Sequence, residues 1–170
     1  MRKSTKKLTV SAILCALCVI IMLAGSVIEV MDLSVAAICS FAVLFAVIEL
    51  GSFYPVLLWL SASTLGILLL PVKFPALYFA LFFGWYPIVK AYTERLSRLP
   101  CILIKLAACC VSVTVICAAG TLVAPEEALV ALTPLLYPLA CAVFILYDIA
   151  MSRMRAAYLR TWKKKLGISI

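Results

Sequence analysis

Apolar residues run along this chain in long unbroken stretches, and charges gather at their ends. The first stretch, 8–28, follows the basic start Met1-Arg-Lys-Ser-Thr-Lys-Lys7 and meets no charge until Glu29. Its 21 residues are enough to cross a hydrocarbon core of roughly 30 Å at about 1.5 Å per residue. Further stretches follow at 33–50, 55–70, 74–89, 101–123 and 129–149. The third and fourth are separated by Leu70-Pro71-Val72-Lys73-Phe74-Pro75, whose prolines break a helix. Both are short for a perpendicular span, which local thinning or buried ends accommodate. The pattern predicts an all-α integral membrane protein, a six-transmembrane-helix bundle forming one membrane domain over residues 1–170.

Orientation follows from lysine and arginine, which favour the cytoplasmic side. With six spans and a cytoplasmic N-terminus, every basic residue of the 15 except Lys73 falls inside. The reverse orientation strands nearly all of them outside. Both termini are therefore expected in the cytoplasm, with Glu29, Asp32, Glu126 and Glu127 in the outer loops. The tail, 151–170, interleaves Met154, Tyr158, Leu159, Trp162 and Leu166 with basic residues. It reads either as a basic amphipathic helix along the inner leaflet or as a simple stop-transfer anchor.

Composition agrees. The chain is 67% hydrophobic and 13% charged, with mean hydropathy +1.23, far from the balance of a soluble globular domain. The net charge of +8 sits at span ends, so it points to membrane topology and not to nucleic acid. The first stretch is longer than the apolar part of a signal peptide and is followed by more spans, so it is expected to be retained.

The chain has eight cysteines and no histidine. Cys15-Ala-Leu-Cys18 matches C-x-x-C, but it lies inside a continuous helix, with no second pair at zinc spacing. Buried thiols acting as small apolar side chains are expected, with no metal site and no cofactor. Catalysis finds no support either. No serine–histidine pair is possible, Lys73, Lys90 and Lys105 sit at span ends, and phosphate-binding glycine patterns are absent. Glu49 and Lys90, near the ends of the second and fourth spans, are able to pair, as is Asp148 with Lys105 or Arg153. The simpler expectation for all of them is interfacial anchoring.

The outer half offers more to a ligand. Glu29 and Asp32 bracket a very short first outer loop, Lys73 lies in the second, and Tyr78 lies one turn into the fourth span. Thr133 and Tyr137 share one face of the sixth. Pro134 and Pro138 are expected to distort that helix and free backbone carbonyls, as at transporter sites. Together these make candidate substrate-binding residues, a few polar handles in an apolar and aromatic cavity. Otherwise the aromatics are interfacial belts and the prolines are merely tolerated. Gly84-Trp85-Tyr86-Pro87 weakens the fourth helix. That stretch reads as an aromatic belt, a hinge or a second partner contact.

In the first span Ala12 and Ala16 lie four apart, flanked by Ser11 and Cys15. Such a strip lets another helix backbone approach, whether from a partner or from within the molecule. The N-terminal pattern Lys7-Leu-Thr-Val-Ser-Ala12-Ile-Leu-x-Ala16-Leu, with six spans, both ends inside and 170 residues, resembles the substrate-binding S components of energy-coupling factor (ECF) transporters. The resemblance implies capture of a vitamin or similar micronutrient from outside a bacterial cell membrane. It implies docking, through Ala12 and Ala16, on a transmembrane coupling subunit driven by two cytoplasmic ATPases. It also implies a ligand in the outer half, closed by the first outer loop and the loop between spans three and four. The lack of any ATP-binding motif fits an energy source in a partner. The alternative is a scaffold of a bacterial envelope complex, like the small membrane subunit of the rod-shape complex. A scaffold holds partners and is expected to fill the outer half with side chains. A lipid-modifying enzyme would need a catalytic cluster, and none is legible.

Overall fold

The computed structural model describes residues 3–27, 32–51, 53–93, 106–107, 110–111, 114 and 127–162. Apart from short turns and links these are helical, with no strand among the described residues. Helix α1 is Lys3–Val27, α2 Asp32–Glu49, α3 Phe53–Leu69 and α4 Phe74–Tyr78. A π-helical turn, Phe79–Phe83, leads into α5, Tyr86–Thr93. Helix α6, Glu127–Ala157, continues into a second π-helical turn, Tyr158–Trp162. Among the described residues, three segments are long and apolar enough to cross a membrane: Ser4–Val27, Asp32–Glu49 and Phe74–Thr93. Phe53–Leu69 is apolar and slightly shorter. The fifth predicted span, 101–123, lies outside the described residues except at the five positions named above.

Helix α1 begins five residues before its apolar run, because helical hydrogen bonding does not stop where hydropathy changes. Its inward face carries Ser11, Cys15, Cys18, Met22 and Ser26, spaced by three or four residues, all buried. Its other faces are apolar too, with Ile13 at 62% and Ile20 at 64% exposure. A helix that is apolar all round, with large aliphatics facing outward, suits lipid and not water.

Helices α1 and α2 run antiparallel. Cys18 Sγ donates to the Cys39 carbonyl at 3.7 Å, and Cys39 Sγ to the Cys18 carbonyl at 3.5 Å. Further along, Gly25 leaves no room for a side chain, since an added Cβ would lie 2.5 Å from Val35 Cγ2. Gly66 of α3 is packed by Met22 of α1 and Ala76 of α4. Small residues thus set the crossing points, as expected where packing replaces the hydrophobic drive between helices. The buried thiols act there as small apolar residues, each with a weak bond to the neighbouring backbone.

The segment Phe74–Thr93 is not a uniform helix. Gly84 N–H donates to the Phe79 carbonyl at 2.7 Å, a bond spanning five residues. Pro87 supplies no N–H to the preceding turn, which favours this wider winding. The carbonyls loosened by it find indole donors. Trp59 Nε1 of α3 donates to Ala80 O at 3.2 Å, and Trp85 Nε1 to Leu81 O at 2.6 Å.

Candidate functional site

The predicted ligand residues fall into three groups. Glu29 lies outside the described residues. Asp32, Lys73 and Tyr78 lie at the end of the bundle marked by Gly25, Val35, Gly66 and Ala76, opposite the N-terminus of α1. Asp32 opens α2, where a carboxylate meets the positive end of the helix dipole. Lys73 reaches back to α3, donating from Nζ to the carbonyls of Ile67 and Leu70, both at 2.7 Å. It thereby caps carbonyls that the helix end leaves without intrahelical donors. Tyr78 stacks on Phe74, with ring centroids 6.5 Å apart. Thr133 and Tyr137 lie on α6, whose helix is unbroken through Pro134 and Pro138. The two prolines are accommodated without ending it.

The predicted docking residues are clearly placed. Ala12 and Ala16 are both exposed, while their neighbours Ser11 and Cys15 are buried. The small-residue strip on α1 therefore faces out of the molecule, one position round from the face that packs on α2 and α3.

Among the described residues a connected polar site joins Lys90 to Asp148, where sequence reasoning paired Lys90 with Glu49. Lys90, only 2% exposed, donates to the Asp148 carboxylate, forming a salt bridge across α5 and α6. It also donates to the Asp148 carbonyl and to Ser152 Oγ, each at 2.7 Å. An ammonium has three N–H donors, and these partners draw it into α6. The Tyr86 hydroxyl donates to the same Asp148 oxygen at 2.5 Å, and Ser152 Oγ to the Asp148 carbonyl at 2.8 Å. Two pairs at helical spacing, Tyr86 with Lys90 and Asp148 with Ser152, thus face each other. Glu49, expected as a partner of Lys90, instead accepts from the Tyr158 hydroxyl at 3.1 Å. Partial burial, followed by the Glu49 carboxylate, raises the Tyr158 phenol above its ordinary value, so it stays a donor.

Lys90 is buried within the bundle. Aromatic rings surround the site on one side. Phe144 and Tyr147 of α6 lie among Phe82, Phe83 and Tyr86, with centroids 5.0–5.8 Å apart. Tyr86, 1% exposed, belongs to this core and not to a membrane belt. One turn beyond Asp148, Met151 meets Ser40, which lies midway along α2. Chemically the cluster is a clamp that fastens α6 to α5.

Comparison with protein-family models, with characterised proteins and with solved structures gave no match.

Proposed function

We propose that this chain is the substrate-capturing membrane subunit of an ATP-driven importer for a vitamin or similar micronutrient. In this reading six spans place both termini in the cytoplasm. A small molecule binds in the outer half of the bundle, near Asp32, Lys73, Tyr78, Thr133 and Tyr137, under the loop that contains Glu29. The chain then docks on an ECF-type transmembrane coupling subunit that carries two cytoplasmic ATPases. One observation carries the reading: Ala12 and Ala16 are exposed on α1. A smooth outward strip in a membrane helix allows close approach by a second helix, and it has no use in the packing of α1 on α2 and α3.

The test is co-purification of the tagged full-length chain from its own host. The wild type is expected to bring down two ATPases and a larger membrane subunit. Ala12→Leu combined with Ala16→Leu overpacks the docking face by about 1–3 kcal/mol. Recovery of the partners is expected to fall about tenfold, while Ala12→Gly keeps it. A wild type that brings down no ATPase, or leucine variants that lose nothing, would overturn the docking role.

A further inference from the structure

The first turns of α1 and the turns that follow α6 meet at one corner of the bundle. Lys7 Nζ of α1 donates to the Leu50 carbonyl at 3.5 Å. Tyr158, just past α6, donates to Glu49, and its ring stands edge-on to Phe45 at 5.5 Å. Glu49 and Leu50 are consecutive residues at the C-terminal end of α2. The first turns of α1 and the turns that end α6 therefore share one corner.

That corner is strongly basic. Lys6, Arg153 and Arg160 are exposed there, and Lys7 is half-buried. Glu49 is 8% exposed and engaged by Tyr158. Lys90 and Asp148 pair with each other. In the sequence, Arg2 stands just before this group, and Lys163, Lys164 and Lys165 just after it. Between the arginines, Met154 is 50% exposed and Leu159 43%. Cations that alternate with exposed apolar side chains match a lipid interface, where methylenes enter the acyl region and cations meet headgroup phosphates. A nucleic acid would engage the charges but leave Met154 and Leu159 in water.

We infer that this corner is a binding site for an anionic phospholipid, whose headgroup phosphate bridges Lys6 of α1 and Arg160 beyond α6. The lipid would link the docking helix to the C-terminal helix at the bundle's basic end. This goes beyond the import reading and does not depend on it.

The test uses the full-length chain in an uncharged detergent, offered equal amounts of phosphatidylglycerol and phosphatidylcholine. Native mass spectrometry counts each bound lipid. The wild type is expected to prefer phosphatidylglycerol. Lys6→Gln with Arg160→Gln should lower that preference roughly fivefold per charge removed. Lys6→Arg with Arg160→Lys should retain it. Added inorganic phosphate should not displace the lipid, because the acyl chains contribute. Equal binding of both lipids by the wild type, an unchanged preference in the glutamine variant, or displacement by phosphate each overturn the site. Circular dichroism follows folding. If the glutamine variant loses helicity, salt titration of the wild type decides, since a preference that salt does not weaken overturns the inference.

Discussion

Asp148→Ala is expected to lower stability by about 3–5 kcal/mol, the usual cost of removing one partner from a buried ion pair. The substitution removes the carboxylate acceptor from the Lys90 ammonium, which is 2% exposed. It also leaves the Tyr86 hydroxyl without the carboxylate it donates to. Asp148→Asn keeps an acceptor and removes only the charge, so its loss should be smaller. Lys90→Met combined with Asp148→Leu replaces the pair with apolar side chains of similar length and should recover most of the stability. Thermal unfolding in detergent, followed by circular dichroism, reads all three. Asp148→Ala within about 0.5 kcal/mol of the wild type, the range of an ordinary surface change, would mean that the clamp does not hold α6.

Gly84→Ala comes next in size. Gly84 has ordinary right-handed helical angles, φ −80° and ψ −42°, so glycine is required there for space and not for backbone freedom. An added Cβ would run into Trp59 Cδ1 and lie 2.8 Å from both Trp59 Nε1 and the Phe79 carbonyl. The carbonyl is backbone, and the indole is held by its bond to Ala80 O, so neither yields cheaply. Overpacking of this kind costs about 1–3 kcal/mol. Adding Trp59→Leu relieves the ring contact but removes the indole donor to Ala80 O, so rescue should be partial. Full tolerance of Gly84→Ala in the same unfolding measurement would show that the wide turn rearranges freely. In that case Gly84 would be a hinge and not a packing point.

How far the sequence spoke depends on which physical quantity was asked of it. Helix positions follow from apolar length, and α1, α2, α3 and the segment Phe74–Thr93 fall within a few residues of the hydrophobic stretches. Helix ends follow less well. α1 starts at Lys3 and not Leu8, and α6 runs to Ala157 and not 149, because charged residues continue a helix beyond its apolar part. Side-chain partners were the least legible. Lys90 and Asp148 stood out as rare charges in apolar surroundings, yet Lys90 was expected to pair with Glu49; Lys105, one expected partner of Asp148, lies outside the described residues. The π-helical turn supplies part of the reason. One added residue rotates everything after it by about 100°, so a uniform helical wheel drawn from Phe74 places Lys90 on the wrong side. Gly84 and Pro87 signalled an irregularity, but not its sense. The contact of Lys73 with α3 was not legible either: its ammonium caps the carbonyls of Ile67 and Leu70. The outward direction of Ala12 and Ala16 was also beyond the sequence, because a small-residue strip serves internal and external packing equally. What decides it is the neighbouring strip, Ser11, Cys15, Cys18 and Met22, which takes the inward face.

The most direct measurement of substrate capture is native mass spectrometry on the protein purified in mild detergent from its own host, followed by denaturing release of whatever it carries. The import reading predicts a stoichiometric small molecule, whose mass would name the vitamin class at once. An empty protein that travels instead with membrane proteins lacking ATPases would contradict that reading and identify the chain as a scaffold.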